Sequence, residues 1–152
     1  MKFFSNLFGE REKESVAAPP ELTSVGKKIL TQRGFKLTEY SDKNMWKYYE
    51  WTNSDFQFSL TYDRGYYDSD ICPLGSTPDL RMRLVPLLKF LRNDKNFYNK
   101  QLKEFNLLNT LTPDGFILLL DDNFDLVKRF INDFDTDKFE SYKNFKFDYD
   151  GI

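Results

Sequence analysis

The spacing of apolar positions changes character twice along this chain. Residues 22–33, LTSVGKKILTQR, place Leu22, Val25, Ile29 and Leu30 three or four apart, as one helix face requires, and Gly34 stands where a C-cap belongs. Gly26, inside that segment, works against the helix. From Phe35 the period becomes two. FKLTEY, MWKYYEWT, FQFSLTY and YYDSDIC are rich in aromatic and β-branched residues, and SDKN (41–44), NSD (53–55) and Asp63-Arg64-Gly65 separate them. In FQFSLTY, Phe56, Phe58, Leu60 and Tyr62 share one face, while Gln57, Ser59 and Thr61 share the other. Such alternation suits a half-buried antiparallel strand, so residues 35–72 predict a four-stranded meander.

The second half reads as helical. Thr77-Pro78-Asp79 supplies an N-cap, a proline at the first helical position and an early carboxylate, and Leu80, Leu84, Leu87, Leu88 and Leu91 follow as a stripe. Pro86 inside that stripe predicts a kink or two consecutive short helices. Asp94 opens a further segment in which Tyr98, Leu102, Phe105 and Leu108 recur at helical spacing. Thr112-Pro113-Asp114 repeats the start signal before FILLL (116–120), which fits a helix or a buried strand; the start signal favours the helix. Asp121-Asp122-Asn123 interrupts the pattern, and Leu126, Val127, Phe130 and Ile131 resume it. The tail predicts a short helix followed by an extended FKFDY segment. The expected fold is therefore α+β: an N-terminal helix, the meander sheet, and a helical C-terminal half packed on that sheet. Residues 1–21, with the Phe3, Phe4, Leu7, Phe8 hook and the linker REKESVAAPPE, are expected to form a flexible segment before a single domain over 22–152.

Composition narrows the functional classes. Aromatics make up 18% of the 152 residues, enough for a core with rings left over for a binding face. The net charge is only −2, but residues 113–152 carry 10 Asp/Glu against 5 Lys/Arg. An acidic C-terminal third repels phosphates, which argues against nucleic acid, and it suits a basic protein partner. Cys72 is the only cysteine, so an internal disulfide is excluded and a reducing cytoplasm is the expected location. No run approaches the ~18 apolar residues of a membrane span, and the apolar part of MKFFSNLFGEREKE is short for a secretory signal.

Zero histidine removes Ser-His-Asp and Cys-His catalysis and the usual zinc motifs. One cysteine cannot build a Cys-rich zinc site, and the seven glycines form neither GxGxxG nor GxxxxGK[ST]. No cofactor is expected. Asp133, Asp135 and Asp137 open like a calcium loop, but Lys138 stands at the turn-glycine position and Asn144 at the bidentate Glu position. Asp121 and Asp122 are adjacent and would diverge by about 100° on a helix, so capping explains them better. Neither Glu-x-Lys nor Asp-x-Lys occurs, which removes a short signature of metal-dependent nucleases.

The stretch FQFSLTYDRGYYDSDICP concentrates Asp63, Asp68 and Asp70. Gly65 fits the positive-φ position of a three- or four-residue hairpin turn, and Asp68 and Asp70 share one strand face, so a hairpin accounts for these acids without catalysis. Arg64 is different: a turn does not require arginine, and Tyr62, Tyr66 and Tyr67 surround it as in an interface hot spot. Tyr49 and Trp51 share one face of their strand and Trp46 and Tyr48 the other, so either both faces are covered or one aromatic face awaits a partner. With LTYDRGYYD inside aromatic strands that precede an acidic helical half, the chain resembles small bacterial immunity proteins of polymorphic toxin systems over residues 22–134. That resemblance implies a protein that neutralises a toxin by binding it, without chemistry of its own. The expectation is a non-enzymatic domain for a protein partner, such as a basic toxin domain, with Trp51, Arg64, Tyr66 and Tyr67 as contacts and Asp121, Asp122 and Asp125 as charged contributors. The alternatives are a small carboxylate-dependent enzyme or ligand-binding domain, and a membrane-peripheral or structural adaptor using the Phe-rich hook.

Overall fold

The structure is a computed structural model that describes residues 19, 22–94, 96–97 and 112–150, with side chains through 145. The first 18 residues, and the predicted segment carrying Tyr98, Leu102, Phe105 and Leu108, lie outside the described residues.

Helix α1 (Ser24–Gln32) starts two residues after Leu22, because the Thr23 hydroxyl accepts the Val25 N–H and so stands outside the helix as its cap. Leu22 precedes that cap and is buried in the core. Gly34, at φ 77°, ends the helix as its position predicted. Five antiparallel strands follow, β1 (Lys36–Lys43), β2 (Trp46–Thr52), β3 (Phe56–Asp63), β4 (Tyr66–Pro73) and β5 (Met82–Arg83), paired in the order β1-β2-β3-β4-β5. The meander is thus one short strand longer than the four predicted. Trp51 opposes Phe58, Phe58 opposes Ile71, and Ile71 opposes Met82. This cross-strand row is buried, and with Tyr49 and Leu60 it forms the sheet side of the core.

Thr77-Pro78-Asp79 starts only a single 3-10 turn, Pro78–Leu80, and not the helix its sequence signals. Two residues later Met82 and Arg83 pair with Ile71 and Asp70, and a strand pairing of this kind requires extended backbone. Helix α2 (Leu84–Arg92) then begins with Pro86 as its third residue, in the first turn, where the missing N–H has no helical acceptor to lose. No kink is needed.

Helices α3 (Pro113–Asp122) and α4 (Phe124–Asn132) divide at Asn123, as the Asp121-Asp122-Asn123 interruption predicts. Thr112 caps α3 by accepting the Gly115 N–H at 3.1 Å, which settles FILLL as helix. Helix α5 (Thr136–Asp150) runs through the tail, so FKFDY is helical and not extended. Asp135 accepts the Lys138 N–H at 2.8 Å and caps α5; the acids of the calcium-like run thus mark a helix start. The apolar sides of α1 to α5 meet one face of the sheet. Phe124 touches Phe35 and Phe56 at one end, with centroids 6.3 and 5.5 Å away, and the Tyr142 hydroxyl accepts the backbone N–H of Arg83 in β5 at 3.0 Å. The chain is an α+β domain with its sheet in the N-terminal half and most described helices in the C-terminal half.

Candidate functional site

The turns β1–β2 and β3–β4 lie side by side at one end of the sheet. Both depart from ordinary backbone: Asn44 has φ 61°, and Arg64 and Gly65 have φ 51° and 96°. Positive φ at both central residues is the signature of a two-residue type I′ hairpin turn, tighter than the three- or four-residue turn predicted around Gly65. The right-handed twist of the flanking strands favours this tight form. The Arg64 N–H donates to the Met45 carbonyl at 3.0 Å, so the two tips are locked to one another.

Side chains fan out from these tips on both sheet faces. On the helix-bearing face, beyond the packed core, Lys47 opposes Tyr62 and Tyr62 opposes Tyr67. The two tyrosine rings pack with centroids 5.0 Å apart. With Asn44, Met45, Arg64 and Gly65 they line an open cleft of about 390 Å³. Its lining contains two cations and no carboxylate. Among the described residues the acid paired with each cation stands beyond hydrogen-bonding distance: Lys47 Nζ is 3.9 Å from Asp42, and Arg64 Nε is 3.7 Å from Asp63. On the opposite face the terminal row runs Lys43, Trp46, Asp63, Tyr66. Met45 (65%), Tyr66 (67%) and Trp46 (36%) are three of the large apolar side chains most exposed among the described residues.

Further along that opposite face lies a polar cluster. Trp46 stacks parallel on Tyr48, with centroids 6.1 Å apart. The Tyr48 hydroxyl donates to Glu50 at 2.7 Å and accepts from Arg81 at 2.6 Å, and the Arg81 guanidinium lies 5.0 Å from the Tyr48 ring centre. Arg81 reaches there because the extended residues after the 3-10 turn carry it across the edge of β4. Burial, reinforced by the bond to Glu50 and opposed by Arg81, pushes the Tyr48 hydroxyl well above the ordinary phenol range. A phenol so held keeps its proton and fastens the cluster. Cys72, on the same face, is buried, and that burial pushes its thiol up, which disfavours the nucleophilic thiolate.

The seven residues expected to bind a partner fall in three places. Arg64, Tyr66 and Tyr67 converge on the hairpin tips. Trp51 does not join them: it is 6% exposed, stacked between Tyr49 and Phe58, and its parity with Tyr49 points it into the core. Helices cover that face, so the surplus aromatic surface is Trp46 and Tyr66 on the opposite face, where Tyr48 is itself buried. Asp121 sits at the far end of the sheet, bound by Arg33 at 2.8 Å, and Asp122 and Asp125 are exposed beside it. Arg33 in turn stacks on Phe124 and accepts an Asn53 amide bond through its carbonyl, which fixes this region to the β2–β3 turn. The eight residues of β3 separate the two ends by roughly 25 Å. Met45, Trp46 and Lys47 are tip residues outside the seven expected contacts, as is Tyr62, which the sequence places only as a neighbour of Arg64. The signal for Trp46 was present in its parity opposite Trp51; Met45 and Lys47 gave none.

Comparison of the chain with protein-family models, with curated proteins and with solved structures finds no match.

Proposed function

We propose that this chain is a non-enzymatic protein-binding domain that docks its partner on the hairpin tips, acting in the cytoplasm as an inhibitor that neutralises a toxin by direct binding. The observation that carries the reading is the tip itself. Met45, Trp46 and Tyr66 are exposed, the Arg64 side chain is 81% exposed, and all four stand on two turns joined by a backbone hydrogen bond. Rings and an arginine presented on joined turns bind with little backbone ordering cost, and such residues dominate interface energetics. The inhibitory role follows from the resemblance of the aromatic strands and acidic helical half to immunity proteins. The cleft supports binding more than hydrolysis, since no carboxylate lines it.

The test is co-expression with the products of the adjacent genes, followed by affinity capture of the full chain. One neighbour is expected to co-purify, and a Trp46→Ser/Tyr66→Ser variant is expected to lose it. Deletion of the gene should sensitise cells to that neighbour. Absence of any bound neighbour, together with unaltered survival on deletion, would overturn the proposal.

A further inference from the structure

We infer that the cleft between the hairpin tips is a receptor for a carboxylate presented by an acidic segment of the partner protein. This rests on the reading of the tips as a protein-docking surface and names the chemistry they select. Lys47 stands on β2 and Arg64 in the adjacent β3–β4 turn, and both line the same concavity with Asn44, Tyr62 and Tyr67. These residues border a space of about 390 Å³, enough for an Asp or Glu side chain with flanking peptide.

The described acids nearest these cations leave them available. At 3.9 Å and 3.7 Å, Asp42 and Asp63 lie outside hydrogen-bonding distance, and exposed pairs of that kind are weak. An incoming carboxylate can therefore form a direct charge-assisted bond to each cation without first breaking a strong one. The ring faces of Tyr62 and Tyr67 supply apolar contact for the peptide beside the carboxylate.

A nucleic-acid strand fits less well. Tracking a phosphate backbone needs a run of cations, and here Asp42 and Asp63 flank the two that line the cleft. A single carboxylate between Lys47 and Arg64 meets those two acids only once and is matched by the two cations, with no further charge to neutralise. The expected partner surface is thus acidic at this contact, unlike the basic partner that the acidic C-terminal third predicts. Asp121, Asp122 and Asp125 lie at the other end of the sheet, away from this contact.

The experiment selects a random dodecapeptide library on the full chain and titrates the enriched peptides, labelled with a fluorophore, against three proteins. These are the native chain, Lys47→Gln/Arg64→Asn, and Trp46→Ser/Tyr66→Ser. Folding of each is checked by its denaturation midpoint. Peptides enriched in Asp or Glu are expected, binding the Lys47→Gln/Arg64→Asn chain at least about tenfold more weakly and losing affinity as salt rises. If the enriched peptides lack acids, or bind that variant unchanged while the Trp46→Ser/Tyr66→Ser chain loses them, the docking surface stands and the carboxylate receptor falls. If no peptide depends on either pair, both readings fall. Tighter binding of a twelve-nucleotide oligothymidylate than of any peptide overturns the assignment to protein.

Discussion

The Asp114 carboxylate accepts the Thr23 N–H through both oxygens, at 3.1 and 3.2 Å, across 91 residues of sequence. Asp114 also lies in the first turn of α3, so one carboxylate stabilises two helix N-termini: its own through the dipole, and that of α1 by satisfying a free donor. Replacing it removes both contributions. Asp114→Ala is expected to lower stability by about 1–2 kcal/mol, read as a lower denaturant midpoint at unchanged slope. Asp114→Asn, which keeps an acceptor but not the charge, should fall between the two.

Gly26 explains why that contact is so close. A Cβ at residue 26 would fall on the Asp114 Oδ1 and within 2.5 Å of the Leu22 Cδ1. The glycine that weakens the helical pattern in the sequence is the residue that lets α1 and α3 meet. Alanine would raise helix propensity by about 1 kcal/mol, but overpacking a tight contact costs about 1–3 kcal/mol and here displaces the capping carboxylate too. Gly26→Ala is expected to be destabilising in chemical denaturation. In the Asp114→Ala background the same change should cost less, because one of the two colliding groups is gone, and a double-mutant cycle measures the difference.

Tyr48 ties stability to alkaline pH. Its folded pKa is raised above the ordinary 10.0, so the native state holds the proton where the unfolded chain has released it. The native state then binds more protons than the unfolded one, and stability falls as pH rises. The contribution is complete below about pH 10 and is lost above it. Tyr40, raised by burial and by its bond to Asp42, adds to the same slope. In Tyr48→Phe the midpoint should therefore fall less steeply between about pH 9.5 and 11.5. At neutral pH that variant should lose about 1–3 kcal/mol, because Glu50, 7% exposed, forfeits its hydroxyl donor.

How far the sequence carries the fold depends on whether the deciding interaction is local. Thr112-Pro113-Asp114 and Gly34 act within a turn of their own position, and their helix ends stand where the pattern placed them. Thr77-Pro78-Asp79 carries the same local signal, yet pairing of Met82 and Arg83 with β4 overrides it. FKFDY reads as alternating, but continuation of α5 absorbs it. At the candidate site, Arg64 and its tyrosines were legible because an arginine in a tight turn has no backbone reason to be there. Trp51 was misplaced because alternation divides a strand into two faces without telling which one the helices cover. The grouping of Asp121 with Arg64 failed for a different reason: composition sums charge along the chain, whereas the fold sends these residues to opposite ends of the sheet.

Arg64 is the residue at which stability and function should part. Its φ of 51° is a left-handed conformation that asparagine and glycine tolerate better than arginine, and Asn-Gly is the preferred pair for a type I′ turn. The sequence holds Arg-Gly at this turn instead. Arg64 gives the fold little in return: its side chain is 81% exposed and its nearest acid is 3.7 Å away. Arg64→Asn is therefore expected to raise stability by about 0.5–1 kcal/mol, seen as a higher denaturant midpoint. The same substitution removes one of the two cations that line the cleft, so binding of acidic peptides should weaken as the protein becomes more stable. A gain in stability without loss of binding would mean that Arg64 is an ordinary surface residue. A loss of stability would show that its contacts hold the turn, and that the tip is built for the fold before it is built for a partner.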